Sequence, residues 1–134
     1  MGLLSGRRPG DLGVRDGRLK PAPDSPNAVS SQATTAYHAI DPLTYSGSRE
    51  DALEALADVV KALPRTTIVT RREDYLYAEF ASALLGFVDD VEFYLPPDQK
   101  IVHVRSASRL GHSDLGVNRT RVEEIRRRFK AKGA

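Results

Sequence analysis

Two runs decide the fold: Phe87-Val-Asp-Asp-Val-Glu-Phe-Tyr-Leu95 and Lys100-Ile-Val-His-Val-Arg-Ser106, joined by Pro96-Pro-Asp-Gln99. Both are rich in β-branched and aromatic residues, and in both the residue character alternates along the chain. Such runs around a four-residue turn are typical of an antiparallel hairpin. We therefore predict that these two runs form one antiparallel hairpin of the sheet.

The register of this hairpin follows from the same alternation. If Leu95 pairs with Lys100, one face of the sheet is apolar and carries Val91, Phe93, Val102 and Val104. The other face then sets acids against bases, with Asp90 opposite Arg105 and Glu92 opposite His103. We expect the apolar face to receive the helices and the charged face to be solvated.

The residues on either side of the hairpin predict an α+β fold. Two further strands, at 66–71 and 75–82, extend the hairpin to a four-stranded antiparallel meander. A helix is predicted before them, between a cap at Ser48 and Pro64, because apolar residues recur there every three or four positions. A C-terminal helix is predicted from a cap at Asn118.

The N-terminal third has no visible period. Residues 1–20 carry five basic and two acidic side chains and several glycines. We expect residues 1–19 to form a flexible basic arm, and residues 20–134 to form a single α+β domain. Within that domain an irregular N-terminal segment, residues 20–47, is expected to pack on the helices and the sheet.

Composition excludes several classes of protein. The chain of 134 residues has no cysteine, which excludes a disulfide scaffold, a thiolate metal site and a cysteine nucleophile. No apolar run approaches the length of about 18 residues that a membrane span needs. The first residues also lack the apolar region of a signal peptide, so we expect a cytoplasmic protein.

Three runs resemble a known family: Pro23-Asp-Ser-Pro-Asn-Ala-Val-Ser-Ser31, Gly86-Phe-Val-Asp-Asp-Val-Glu-Phe93 and Arg105-Ser-Ala-Ser-Arg-Leu-Gly-His-Ser-Asp-Leu-Gly-Val-Asn-Arg119. On these runs the chain is similar to the bacterial and plastid family named domain of unknown function 1499, from residue 20 to residue 130. The resemblance implies no established activity, cofactor or substrate. Family members often read Cys-Pro-x-Ser-Pro-Asn-Cys in the first run, but Ala22 and Ala28 stand at the two cysteine positions here.

The third run is also the strongest candidate for a binding site. It combines positive charge with small hydroxyl groups and with glycines that let a ligand approach the backbone, and it leads to a helix N-terminus that favours anions. We expect the Ser25–Asn27 turn to meet this run and form one polar site with it. The candidate ligand-binding residues are Ser25, Asn27, Arg105, Ser106, Ser108, Arg109, Gly111, Asp114, Asn118 and Arg119. The alternative is a structural loop whose polar groups satisfy one another.

An acidic run offers the one candidate for a hard cation. It consists of Asp89, Asp90 and Glu92, and Mg²⁺ or Ca²⁺ would require several oxygen ligands. Because neighbours on a strand point to opposite faces, at most two of these carboxylates converge. We predict neither a metal site nor a cofactor, and we interpret the run as part of a solvated face.

Three classes of function remain open. The first, which we favour, is a non-enzymatic module that binds a small anion or an acidic peptide. The second is a hydrolase that uses Ser106 or Ser108 with His112 and Asp114, although no nucleophile-elbow motif accompanies them. The third is an accessory protein for nucleic acid or a membrane surface that uses the basic C-terminal helix, although no known nucleic-acid motif is present. We predict no catalytic residue and no specific nucleic-acid partner.

Overall fold

A computed structural model describes residues 6–83, 86–111 and 113–134 of the chain. In these residues two helices and an antiparallel sheet of six strands form an α+β fold. The elements are β1 (Ala28–Ser30), β2 (Leu43–Thr44), α1 (Arg49–Ala62), β3 (Thr66–Arg72), β4 (Tyr75–Ala81), β5 (Val88–Tyr94), β6 (Ile101–Ser108) and α2 (Val117–Ala131). The predicted fold class, the meander β3 to β6 and both helices are confirmed. His112, a member of the hydrolase hypothesis, lies outside the described residues.

Strand β6 is the hub of the sheet. The strand order is β1-β6-β5-β4-β3, and β2 also pairs with β6. The short strands β1 and β2 belong to the N-terminal segment, which packs on the domain as the sequence predicted, but partly as strands that pair with β6. With three and two residues they are too short to show a period, so the sequence pattern did not reveal them.

The predicted register of the central hairpin is wrong by two residues. The pairs Asp90–Arg105 and Glu92–His103 do not form, and Glu92 faces Arg105 instead. Residues 101–102 pair with β2 rather than with β5, so the turn is longer than the sequence suggested. Because the shift is an even number of residues, every side chain stays on its predicted face.

The apolar face of the sheet receives both helices. The four predicted core residues, Val91, Phe93, Val102 and Val104, are fully buried. Helix α1 begins as predicted, with Ser48 Oγ accepting a hydrogen bond from the backbone N–H of Asp51 at 3.0 Å. Helix α2 begins two residues earlier than predicted, with its cap at Gly116, and Asn118 is not its cap because it lies within the first turn, where its side chain is buried.

The charged face of the sheet is covered, not solvated. Residues 6–23, here called the strap, cross it, and Leu19 of the strap is only 4% exposed. The backbone N–H of Gly13 donates to Glu92 Oε2 at 2.7 Å. Glu92 is fully buried and Asp90 is 2% exposed. The mobility predicted for residues 1–19 stays a prediction, but the described part of this arm lies on the sheet.

No helix within the described residues is long and apolar enough to cross a lipid bilayer.

Candidate functional site

Strand β6 divides the candidate residues between two polar clusters. Alternate residues of a strand point to opposite faces. Ser106 and Ser108 therefore lie on the face that packs against α2, whereas Arg105 lies on the face that the strap covers, and so does Arg109 just beyond the strand. The ten residues predicted to form one site thus lie on two sides of the sheet.

The first cluster, here called the amide network, lies between β6, α2 and the N-terminal segment. It consists of Asn27, Ser106, Ser108, Asp114 and Asn118. Ser106 Oγ donates to Asn118 Oδ1 at 2.6 Å, and Asn118 Nδ2 donates to Asp114 Oδ2 at 2.8 Å. The same Nδ2 also lies 3.0 Å from Ser108 Oγ and 3.1 Å from the Asn27 carbonyl oxygen. One fully buried amide therefore joins three parts of the chain.

The Ser25–Asn27 turn reaches this loop, as the sequence led us to expect. Asn27 Nδ2 donates to the Gly111 carbonyl oxygen at 2.9 Å, and Ser25 Oγ donates to Asn27 Oδ1 at 2.9 Å. The backbone adds two bonds, from Ser108 N–H to the Asn27 carbonyl oxygen at 3.0 Å and from Asp114 N–H to that of Pro26 at 3.1 Å. These contacts fasten the irregular segment to the start of α2.

The N-cap position of α2, which the sequence had given to Asn118, is Gly116, and Asp114 two residues earlier binds the backbone at this helix start. Its Oδ1 accepts from the Gly116 N–H at 2.8 Å and from the Tyr37 hydroxyl at 2.9 Å. Burial alone would raise the pKa of Asp114, but hydrogen bonds from Asn118, Gly116 and Tyr37 outweigh burial and lower it. Arg119 donates to the Tyr37 carbonyl oxygen. The polar groups of the amide network thus satisfy one another's hydrogen bonds. This indicates a structural role, in which the cluster holds three segments of the chain together.

The second cluster, here called the ionic cluster, lies beneath the strap. Its members are the polar residues on the covered face: Tyr75, Tyr77, Glu79, Asp90, Glu92, Arg105 and Arg109. Arg109 holds Asp90 with two hydrogen bonds, from Nε to Oδ2 at 2.9 Å and from Nη2 to Oδ1 at 2.8 Å, and it also contacts Glu79. The hydrogen bond to Asp90 is the main reason that the pKa of Arg109 is raised above its ordinary value.

Two tyrosines complete the carboxylate contacts. Tyr75 donates to Glu92 Oε2 at 2.5 Å, and Tyr77 donates to Asp90 Oδ1 at 2.5 Å. Burial, together with these hydrogen bonds, raises the pKa of both hydroxyl groups well above the ordinary value of tyrosine. Both tyrosines therefore stay protonated and act as donors to buried carboxylates.

Arg105 differs from Arg109 in its partners. Its side chain is buried, with 4% of the residue exposed, and Nη2 makes a hydrogen bond of 3.3 Å to the Pro21 carbonyl oxygen. Its buried Nε has no hydrogen-bond partner among the described residues, and the same is true of Glu92 Oε1 on the facing strand. Burial lowers the pKa of Arg105, and the charges of Glu92 and Asp90 oppose that shift.

A pocket of about 240 Å³ opens beside this arginine, between the strap and the end of β6. Strap residues form one wall, and β6 with the residue after it forms the other: Pro9, Lys20, Pro21, Pro23, Arg105, Ser108 and Arg109 are among its lining residues. Asp90 also lines the pocket, and its carboxylate is held by Arg109. Asn27 lines the pocket as well. Of the ten predicted site residues, this pocket therefore brings together Asn27, Arg105, Ser108 and Arg109.

The described residues offer no arrangement for a metal or a hydrolytic triad. None of their His, Asp and Glu side chains form a group that could hold a metal ion. Ser106 and Ser108 contact Asn118, and neither contacts His38 or His103, the two histidines that the structure describes. Ser31 Oγ does lie 3.0 Å from His103 Nδ1, but the same oxygen also accepts from the Val104 N–H.

The basic residues of α2 are largely engaged within the chain. Arg126 pairs with Glu123 at 2.9 Å, and Arg128 pairs with Glu124 at 2.7 Å. Arg121 on the buried side of the helix pairs with Asp89 of β5 at 2.7 Å. These contacts leave little of the helix free to act as a continuous basic surface.

Sequence reasoning missed the tyrosines and Glu79 as parts of the covered face. The sequence did indicate that this strand is buried on both faces. The run Tyr75-Leu-Tyr-Ala-Glu-Phe80 has large or apolar residues at its odd-numbered and at its even-numbered positions. A strand of that kind is buried on two faces. Some other part of the chain therefore had to cover the side that faces away from the helices.

Comparison with known proteins adds one match. A family model described as "Protein of unknown function (DUF1499)" matches residues 18–129. No curated protein matches the chain. The matched region contains the amide network and all seven residues of the ionic cluster, and it begins within the strap.

Proposed function

The chain belongs to the DUF1499 family of proteins of unknown function, and from that premise we propose that it is a non-enzymatic module that binds a small anion. The proposed site is the pocket beneath the strap, and Arg105 is its anchor. The observation that carries the proposal is Arg105, whose side chain lines this pocket and whose buried Nε has no hydrogen-bond partner among the described residues. A buried guanidinium gains most from an added acceptor, because water does not compete for it.

The size of the pocket supports a small anion over an acidic peptide. Sites for drug-sized ligands usually measure about 300–1,000 Å³, and this pocket measures about 240 Å³. A carboxylate or phosphate group in this pocket would accept hydrogen bonds from the planar guanidinium of Arg105. Lys20 on the opposite wall would supply a second positive charge. Lys20 is held at the site by Asp11 Oδ1 at 2.9 Å.

Arg105 has one competing role, as a counter-charge for the acids of the ionic cluster. Glu79, Asp90 and Glu92 bring three negative charges, and Arg8, Arg105 and Arg109 bring three positive charges. An arginine kept only for this balance would stabilise the fold without binding any solute. The two roles make different predictions for a substitution that keeps the charge.

The test is a titration that observes the Nε–H signals of the arginines by NMR. Inorganic phosphate and acetate are added at constant ionic strength, with chloride as the balancing anion. We expect the Arg105 Nε–H signal to shift and saturate. Arg105→Lys keeps the charge but loses the fork of donors, so it should fold and should weaken phosphate binding about tenfold.

Arg127→Lys serves as the matched control, because Arg127 is an exposed arginine of α2 that pairs with Glu124. It should leave phosphate binding unchanged. A shift that never saturates, or one that Arg105→Lys and Arg127→Lys affect equally, would contradict the proposal. Loss of stability in Arg105→Gln without any saturable shift in the unsubstituted protein would assign Arg105 to charge balance.

A further inference from the structure

Five large apolar side chains are exposed among the described residues, and they gather at one end of the sheet. They are Tyr37, Phe87, Leu110, Leu115 and Val117, and together they are here called the apolar tip. Leu115 is 92% exposed and Val117 is 50% exposed. Exposed apolar residues that stand singly need no explanation, but a set confined to one end of a small protein marks an interaction surface.

Contacts along the chain place these residues at the same end of the sheet. The Arg109 N–H donates to the Val88 carbonyl oxygen at 3.2 Å, so Leu110 and Phe87 continue two neighbouring strands past the edge of the sheet. Tyr37 donates to Asp114, which directly precedes Leu115. The apolar tip is therefore continuous with the loop that follows β6.

Leu115 stands on a rigid support. Its φ angle is 53°, in the left-handed region that bulky residues rarely adopt, and the next residue, Gly116, has a φ angle of 83°. Buried Asp114 holds this turn through the Gly116 N–H, and Asn118 holds Asp114. The amide network thus fixes a backbone that keeps a leucine side chain in solvent.

The charges around the apolar tip are mainly positive. Arg7, Arg8 and Arg65 are exposed and Arg119 is half-buried; Arg65 lies beside Ala81 at the same end, and Arg119 contacts Tyr37. Three carboxylates at this end, Glu79, Asp89 and Asp114, are each 9% exposed or less. Glu124, whose side chain is 36% exposed, lines a pocket together with Arg65. The exposed Asp24 lies on the neighbouring turn.

We propose that the apolar tip docks the protein on an anionic lipid surface, with Leu115 and its neighbours entering the headgroup region. The arginines around the apolar tip complement the negative charge of anionic headgroups. A single protruding leucine can enter a fluid lipid layer, because such a layer does not need a pocket of matching shape. This docking surface uses the loop after β6 rather than the basic face of α2, and it does not depend on the pocket beneath the strap.

Co-sedimentation with lipid vesicles tests the proposal. The protein should bind vesicles of phosphatidylcholine with about one third phosphatidylglycerol and should not bind vesicles of phosphatidylcholine alone. Leu115→Asn should weaken binding about tenfold, the effect of withdrawing one leucine side chain from an apolar phase. Asparagine tolerates the left-handed backbone, so this variant should fold.

Two controls make the result specific. Leu115→Met keeps an apolar side chain of similar volume and should retain binding to the anionic vesicles. The double variant Arg65→Gln, Arg119→Gln removes rim charge and should weaken binding about fivefold for each arginine.

Three outcomes would overturn the proposal. The unsubstituted protein could fail to bind the anionic vesicles, or it could bind them as tightly as Leu115→Asn does. Sedimentation velocity without vesicles could instead reveal a dimer that Leu115→Asn dissociates, which would assign the apolar tip to contact between copies of this chain.

Discussion

Arg109→Ala should destabilise the protein strongly, because this side chain neutralises two buried carboxylates. The side chain of Arg109 is 3% exposed, and that of its partner Asp90 is likewise 3% exposed. Removing one member of a buried ion pair typically costs about 3–5 kcal/mol, since the other charge remains buried without compensation. The change also frees Glu79, which keeps one other arginine partner, Arg8.

We expect the free energy of unfolding to fall by about 4 kcal/mol and the melting temperature to fall by about 10–20 °C. Urea denaturation followed by circular dichroism measures the first quantity, and thermal denaturation measures the second. The double variant Arg109→Ala, Asp90→Asn should recover part of the loss, because the carboxylate that needed the arginine is gone.

Arg127→Ala is the matched control for this experiment. Arg127 also forms an ion pair, with Glu124, but its side chain is 67% exposed. Exposed pairs contribute about 0–1 kcal/mol, so this variant should be nearly as stable as the unsubstituted protein. Equal effects of Arg109→Ala and Arg127→Ala would refute the view that the covered face is an ionic core.

Three further predictions concern the strap, the amide network and pH. Deletion of residues 1–19 should lower the free energy of unfolding by about 3 kcal/mol, because it removes the buried Leu19 and the hydrogen bonds from Arg8 and Gly13 to buried carboxylates; an unchanged melting temperature and rapid trimming of this region in the full chain would instead show a free arm. Asn118→Ala should cost about 3 kcal/mol in urea denaturation, because several buried groups lose their partner, whereas Thr120→Ala on the exposed side of the same helix should cost less than about 0.5 kcal/mol. Burial lowers the pKa of His103 in the folded state. At pH values below the ordinary histidine pKa of about 6.5, the unfolded state therefore binds more protons than the folded state. The free energy of unfolding should therefore fall as the pH drops from about 6.5 to about 5, and His103→Gln should flatten this slope in denaturation curves measured across that range.

The parts of the fold that a local pattern specifies could be predicted from the sequence. The period of α1, its cap at Ser48 and the alternation of β5 and β6 all depend on neighbours within a few residues. The faces of the hairpin were correct for the same reason. Its register was not, because a shift of two residues leaves every side chain on the same face, so the alternation alone fits both registers.

The candidate site was harder to predict because its residues are divided by the strand that carries them. Composition pointed correctly to the run from Arg105 to Arg119 and to its meeting with Asn27. It did not show that Arg105 and Arg109 would lie on the opposite face from Ser106, nor that the strap would cover Asp90 and Glu92. A segment rich in glycine and proline carries no period, so nothing local in it reveals which surface it covers.

The central position of β6 also determines when the chain can fold during its synthesis. Ala28 of β1 pairs with Ala107 of β6, and the 79 residues from position 29 to position 107 take about 4–16 s to translate at about 5–20 residues per second. During that interval β1 and β2 have emerged but their partner strand has not. On a ribosome stalled before residue 101, the N-terminal third of the chain would therefore have no strand to pair with. A chaperone that binds extended segments would have the most time to bind β1 and β2 at this stage.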